Sequence, residues 1–345
     1  MGVGENVDLN KEINLIQGDC LEKMEEIPDK SIDLVLIDPP YNIKKADWDK
    51  WKTVNAYVEF MGQVFLECQR VLKDTGSFYF FHNDFLQIVE LQNFINKNTD
   101  FIFNSFIILD KKDFRALSWK NPSEKSNLRC WFNTCEYCLY YTFEDKTGLN
   151  KILDLCFKPY LNYMTDEKER INWNIKDFNN YLNYKAIASH WFWQDKEKTK
   201  QSQPRFISEQ DYLKLQETGY FQKPYKDLKQ EYEELRQEYE ELRQEYEKQR
   251  YTFNLKEVQK NISCVWEVET TNSGRMHSCE KPINILEKII KTSSNENDTV
   301  LDCFMGSGST GVACLNTNRY FIGIEKNENY FNIAKERIEN HVINR

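Results

Sequence analysis

The run Ile32-Asp33-Leu34-Val35-Leu36-Ile37-Asp38-Pro39-Pro40-Tyr41 constrains the chain more than any other stretch. Its first six residues are rich in aliphatic and β-branched side chains, the pattern of a strand buried on both faces of a parallel sheet. Two prolines then end the strand, because neither donates to a ladder and each holds φ near about −65°. Asp38 and Tyr41 are thereby carried on stiff backbone at a strand's carboxyl end, where open α/β sheets bind ligands. The plainer reading of the same quartet is a rigid strand-to-loop turn with a capping aspartate.

The residue types in that turn suit one kind of chemistry. An exocyclic amine on adenine or cytosine is a poor nucleophile, since its lone pair is delocalised into the ring. A carboxylate and a backbone carbonyl accepting its N–H bonds would localise the pair and aim it at an electrophile. Asp38 and the Pro39 carbonyl have that capacity, and Tyr41 offers a face for a base rotated out of a duplex.

At 345 residues the chain suits two domains, or one large domain with an insertion. Its 40% hydrophobic content supplies a sizeable core. No stretch approaches about 18 uncharged apolar residues and no signal-peptide pattern opens the chain, so the expectation is a soluble, cytoplasmic protein without a membrane partner. The ten cysteines are scattered, several within apolar runs, as for buried reduced thiols. Cys130, Cys135 and Cys138 form a C-x4-C-x2-C with no second pair or nearby histidine, and no metal is expected. A net charge of −9 argues against nonspecific coating of nucleic acid but leaves room for a local basic face.

Along the chain, Ile13 to Cys20 reads as a strand ending in a Gly18-Asp19 turn, followed by a brief helix over 21–27. Asp19 there suits either an adenine amine or simple helix capping. Beyond the quartet, Lys44 and Lys45 lie in a polar loop suited to closing over a substrate or touching phosphate. Helical spacing over Val54–Val71, a turn at 73–76, a strand over 77–81, a helix over 85–95 and a strand over 101–109 continue a β-α alternation. That alternation predicts a parallel, doubly wound sheet. Lys111, Lys112, Arg115, Trp119, Lys120 and Arg129 then mix cations with rings, a candidate DNA-binding surface or else a solvated loop with inward-packed aromatics. Residues 136–143 read as one more strand.

Composition shifts near residue 144, and 144–264 reads as an inserted region between a catalytic and cofactor-binding domain of 1–143 and 265–345. Within it, Tyr232 to Glu238 repeats at Tyr239 to Glu245, and Leu228, Leu235 and Leu242 fall at heptad spacing. A helix over 228–250 with one apolar stripe and charged flanks follows, too acidic for direct DNA contact. Strands at 265–269, 299–304 and 319–325, with helices at 283–292, from the 305–311 turn through Leu315, and at 329–338, complete the chain.

A second constellation lies near the carboxyl end. Met305-Gly306-Ser307-Gly308 joins a strand to a helix, and Glu325 ends the next strand 17 residues past Gly308. Glycines let backbone approach a ligand, and an acid so placed takes both ribose hydroxyls of an adenosine. Asp302, just before the turn, suits an amine. Gly306-x-Gly308-x-x-Gly311 has the dinucleotide spacing, but Asp302 suits an amine better than a pyrophosphate and no Walker lysine follows, so a nucleoside with an amino-acid tail, S-adenosylmethionine, fits best.

Asp38-Pro39-Pro40-Tyr41 resembles the catalytic motif of DNA amino-methyltransferases, and Phe304-x-Gly306-Ser307-Gly308 their S-adenosylmethionine loop. With the catalytic motif first and the cofactor loop last, the chain is similar to the β class, and within it to the MboII-like adenine methyltransferases of restriction-modification systems. The resemblance implies a Rossmann-like α/β sheet in circularly permuted order, with 144–264 as target-recognition module. Asp38 and Pro39 would hold the amine, Pro40 would stiffen the turn, and Tyr41 would stack on the base. Asp19 would contact the cofactor's adenine, Glu325 the ribose, and Asp302, Phe304 and Gly306 the methionine end, with Cys20, Ser307, Gly308, Thr310 and Lys326 also expected to bind the cofactor. His277, Lys281 and Pro282 match a His-x-x-x-Lys-Pro turn before the cofactor strand. Cys303 stands where proline is usual and Glu280 where glutamine is usual.

The activity expected is methylation of adenine N6 in double-stranded DNA, with a cognate restriction endonuclease and a second copy of the chain as candidate partners. Cytosine-N4 methylation shares the chemistry, and methylation of RNA or of a protein amide is a further rival. A non-enzymatic DNA-binding scaffold built on the heptad helix is the alternative from another class.

Overall fold

The computed structural model describes residues 12–43, 49–111, 134–145, 147–149, 152, 155–186, 188–192, 204–255, 263–268 and 281–343. The chain divides into two compact units, one of Met1–Glu144 with Tyr251–Arg345 and one of Asp145–Arg250.

Eight strands form the sheet of the first unit: β1 Ile13–Gln17, β2 Ile32–Ile37, β3 Leu72–His82, β4 Phe101–Asp110, β5 Cys135–Phe143, β6 Val265–Glu267, β7 Thr299–Asp302 and β8 Tyr320–Glu325. Their spatial order is β1-β8-β7-β2-β3-β5-β4-β6. From β1 to β3 every pairing is parallel, and β5 runs antiparallel to both β3 and β4. The alternation read from sequence implied parallel strands throughout; β5 departs from it by pairing directly with the strand that precedes it.

The winding reverses at one place. From β2 the chain passes through α2 (Val54–Val71) outward to β3, whereas from β7 it passes through α9 (Ser309–Asn316) outward to β8 on the other side. β2 and β7 are neighbours, with Leu34 opposite Val300 and Val35 opposite Leu301. A crevice opens at the carboxyl ends of strands where such a reversal occurs.

β2 feeds both cores, which is why its sequence shows no polar alternation. Val35 and Ile37 face a cluster with α1 (Cys20–Met24), α2 and α3 (Phe85–Asn98), where Phe65, Phe78 and Phe80 are fully buried. Leu34 and Leu36 face the opposite cluster with α8 (Ile283–Ser293), α9 and α10 (Glu328–Ile343), through Ile289, Ile290, Val312 and Ile338. Burying one such side chain contributes roughly 1.5–3 kcal/mol. Thr53 and Asp84 cap α2 and α3 by accepting from the Ala56 and Gln87 N–H groups.

The turn expected at 73–76 is instead an excursion inside β3, whose register on β2 jumps from Ile32–Leu72 to Leu34–Ser77. Gly76 closes it, since a Cβ there would lie 2.9 Å from the Lys73 carbonyl.

The second unit is helical in its described residues: α4 Lys158–Ile171, α5 Ile175–Leu182, α6 Glu209–Gln216 and α7 Tyr225–Gln249, with a single 3₁₀ turn at Ala188–His190. Aromatics dominate its core, including Phe157, Tyr160, Phe178, Phe192, Tyr212 and Phe221. The heptad helix is α7. Its amino-terminal half supplies Leu228 and Tyr232 to that core, with Leu235 and Tyr239 partly packed behind them. Arg236, Arg243 and Arg250 pair with the glutamates three residues before them, once per repeat. Among the described residues no helix is long and apolar enough to cross a membrane.

Candidate active site

At the end of β2, Asp38 accepts two hydrogen bonds, one on each carboxylate oxygen. The Tyr41 hydroxyl donates to Oδ1 at 2.5 Å and the Lys281 ammonium to Oδ2 at 2.6 Å. Lys281, just ahead of α8 and only 6% exposed, also lies 3.0 Å from the Tyr41 hydroxyl and 3.5 Å from Glu136 Oε2. Glu136, near the start of β5, takes the Lys111 ammonium on its other oxygen. Burial pushes the Glu136 carboxyl up, but the two ammoniums outweigh it and hold the pKa down at about 2. Among the described residues, Asp38 and Glu136 set two carboxylates against the ammoniums of Lys281 and Lys111. Burial, reinforced by the Asp38 charge, pushes the Tyr41 phenol well above its ordinary pKa and keeps it a donor.

The backbone of the turn is pinned from three elements. The Asp84 N–H donates to His82 Nδ1 at 3.0 Å, which puts the ring proton on Nε2. Nε2 faces the Tyr57 hydroxyl at 3.0 Å, and that hydroxyl donates to the Pro40 carbonyl at 2.7 Å. Burial pushes His82 down to about 4, so the ring is neutral at neutral pH. From α3, Gln87 Nε2 donates to the Tyr41 carbonyl at 3.0 Å. Asn42 adopts the left-handed conformation that asparagine tolerates (φ 54°), and its N–H donates to Asp49 at 2.6 Å.

The second turn follows β7. Asp302 accepts from the Phe304 N–H at 3.0 Å and from the Thr310 hydroxyl at 2.6 Å. Burial raises its pKa to about 7, with the Asp38 and Glu325 charges adding to the rise. Gly306 (φ 54°) donates its N–H to Glu325 Oε2 at 2.9 Å. Gly308 (φ 81°) could carry no side chain cheaply, since a Cβ there would meet the Ala334 Cβ at 3.0 Å. Arg337 donates to the Ser307 carbonyl and the Ser309 hydroxyl, bracing the turn from α10. The Gly18 N–H donates to the Glu325 carbonyl at 3.0 Å, joining the end of β1 to that of β8. Asp19 thus lies just past the end of β1, and Glu325 and Asp302 close its neighbours β8 and β7.

The two turns therefore leave adjacent strands at the same edge of the sheet. The profile of one family, described as DNA methylase, matches residues 32–336 and takes in both. The chain belongs to the DNA methylase family. This methylase is 27% identical over 324 residues to the Type II methyltransferase M1.MboII of Moraxella bovis, spanning 94% of this chain and 95% of that protein. To the Type II methyltransferase M.HinfI of Haemophilus influenzae it is 24% identical over 341 residues, spanning 94% and 67%. Among solved structures, the PvuII DNA methyltransferase (cytosine-N4-specific) matches with a TM-score of 0.55 at 12% identity, over 96% of this chain and 91% of that one. That likeness is one of fold, and it agrees with the Rossmann-like sheet expected from sequence.

Asp38, Pro39, Pro40 and Tyr41 lie together in the methylase, and Asp302, Phe304, Gly306, Ser307, Gly308, Thr310 and Glu325 form the second turn and its supports. Lys281, expected on the cofactor side, donates to Asp38 and Tyr41, since Pro282 caps the start of α8 and leaves the lysine at its buried mouth. Lys111, grouped with the loop cations, is drawn to Glu136. Asp19 caps α1 through the Leu21 N–H and pairs with Lys326 at 2.9 Å, while Cys20 is buried on α1. Lys44, Lys45, Lys112, Arg115, Trp119, Lys120, Arg129 and His277, with Cys130 and Glu280, lie outside the described residues. No group of three or more His, Cys, Asp or Glu suited to a metal occurs among the described residues.

Tyr57, His82, Gln87, Glu136 and Arg337 were not anticipated. His82, one of only four histidines and set at the end of an apolar strand, carried the one signal that could have flagged it. The others are ordinary helix or strand residues until the fold brings them to the turns.

Proposed function

We propose that this DNA methylase transfers a methyl group from S-adenosylmethionine to the N6 amine of adenine in duplex DNA, as the modification component of a restriction-modification system. The observation that carries the reading is the placement of the Asp38–Tyr41 turn and the Asp302–Gly308 turn on neighbouring strands at the point where the winding reverses. The residues fit the cofactor. A buried carboxylate at Asp302 suits an ammonium, the glycines at 306 and 308 keep side chains out of the turn, and Glu325 supplies an acceptor for ribose hydroxyls. Bound there, the cofactor supplies a sulfonium methyl as the electrophile.

The chain's own part is positioning and electrostatics. Asp38 and the Pro39 carbonyl accept the two amine protons and turn the lone pair outward, and Tyr41 supports the extruded base. Tyr57 and Gln87 hold the carbonyls that follow, so the turn needs no reorganisation when the base arrives. The acceptor is an amine nitrogen, so no cysteine nucleophile is required; Cys303 beside the site is buried, with its pKa raised by desolvation. An aspartate at the head of the quartet, and the resemblance to the MboII-like adenine enzymes, support adenine over cytosine. Insertion between the two motifs supports target recognition by the second unit, residues 145–250.

The test is to express the chain in a host free of DNA methylation and map modified bases across the genome. N6-methyladenine at one short recurring sequence is expected; N4-methylcytosine would replace the base assignment, and no modification would reject the reading. Asp38→Ala should abolish transfer while sparing cofactor affinity, and turnover near that of the unaltered enzyme would overturn the role given to Asp38.

A further inference from the structure

Lys281 donates to Asp38, the carboxylate on which the amine-methylation reading seats the target amine, so the two donors compete for it. With Tyr41 on Oδ1 at 2.5 Å and Lys281 on Oδ2 at 2.6 Å, both carboxylate oxygens already hold a strong donor. The ammonium has little water to retreat into, since its side chain is 6% exposed. A buried charge deprived of its partner is costly, so displacing it requires another anion within reach. Glu136 Oε2 is 3.5 Å away, a contact that a shift of under about an ångström would turn into a charge-assisted hydrogen bond. Lys111 on the other oxygen, Oε1, holds the Glu136 carboxylate in place while leaving Oε2 toward Lys281.

We propose that Glu136 is a positioning residue that receives the Lys281 ammonium when the target amine takes its place on Asp38. This inference rests on the amine-methylation reading. It also matters to the chemical step: the accepting nitrogen gains positive charge as the methyl arrives, and an ammonium left on Asp38 would oppose that charge. Holding Lys281 on Glu136 keeps Asp38 as the nearest charge to the reacting nitrogen. The base-free site is then a closed one, which an incoming base opens by exchange of one donor for another.

The experiment measures methyl incorporation from labelled S-adenosylmethionine into genomic DNA from a methylation-free bacterium, alongside calorimetric binding of the cofactor. The unaltered protein, Glu136→Gln, Glu136→Asp, Lys281→Met and the Glu136→Gln/Lys281→Met double variant are compared. Glu136→Gln is expected to lower kcat by about tenfold or more and raise the KM for DNA, the loss of one charge-assisted bond, with cofactor affinity within about twofold. Glu136→Asp, which keeps the charge, should be faster than Glu136→Gln. In the double variant the competitor on Asp38 is gone, and kcat should recover by about threefold or more over Glu136→Gln. A purely structural role for Glu136 predicts no such recovery. Glu136→Gln within about twofold of the unaltered enzyme, or a double variant no faster than Glu136→Gln, would overturn the proposal. If the double variant loses cofactor binding through misfolding, the Asp-against-Gln comparison decides, and equal rates there reject the proposal. Absence of incorporation by the unaltered protein would instead reject the amine-methylation reading itself.

Discussion

Removing one oxygen atom from Tyr57 tests whether the turn is held rigid by its hydrogen-bonded supports. The hydroxyl joins two partners, the His82 ring at 3.0 Å and the Pro40 carbonyl at 2.7 Å, and both aromatic side chains are 0% exposed. Tyr57→Phe keeps the ring against Trp51 and leaves the His82 Nε2–H with no acceptor in a dry setting. An unsatisfied buried donor costs about 1–3 kcal/mol, and the half-buried Pro40 carbonyl adds a smaller amount, for a total of about 2–4 kcal/mol. For a domain of this size each kcal/mol shifts the melting temperature by roughly 2–4 °C, so a fall on the order of 10 °C is expected. Calorimetric melting measures it, and methyl incorporation should drop several-fold in the same protein while cofactor affinity holds. A variant that melts within about 2 °C of the parent and turns over at the parent rate would refute the claim that this chain of hydrogen bonds holds the turn.

Two pH dependences follow from the buried titrating groups. His82 titrates near 4 in the folded protein and near 6.5 when unfolded, so between those values the unfolded chain binds more protons. Its contribution is complete above pH 6.5 and is lost on acidification toward pH 4, by about 3 kcal/mol. Urea midpoints at high and low pH should therefore converge more in His82→Gln than in the parent, and parallel curves would sink the assignment. Asp302, raised to about 7, should bind the cationic methyl donor more tightly as pH rises through that value and it loses its proton. Asp302→Asn should flatten the cofactor Kd between pH 5.5 and 7.5 (an interval set about the folded value), and an unchanged slope would show that another group titrates.

The chemistry-bearing turns were legible in the sequence because each depends on local rules. Two prolines after an apolar run stop a strand wherever it sits, and Gly306 and Gly308 announce left-handed backbone without reference to any neighbour. The helix over Val54–Val71 was readable for the same reason, from its own periodicity, while its Thr53 cap emerged with the fold. The heptad pattern predicted α7 but not which half of its stripe would be covered, since that depends on the aromatics of α4 and of the chain near Ile207.

What the sequence by itself determined was where most strands run, where two of them end, and which side chains stand at those ends. Only the tertiary structure decided that β2 and β7 are neighbours, because pairing between segments more than 260 residues apart leaves no periodic trace in either. The same holds for the charges around Asp38. Lys281 reads as part of a turn motif on the cofactor side and Glu136 as a glutamate near a strand's start, until the start of α8 sets the lysine on Asp38 and the antiparallel β5 sets Glu136 beside that lysine. Charge pairing acts through space over a few ångströms, and it is the order of the strands that sets which charges come within that distance.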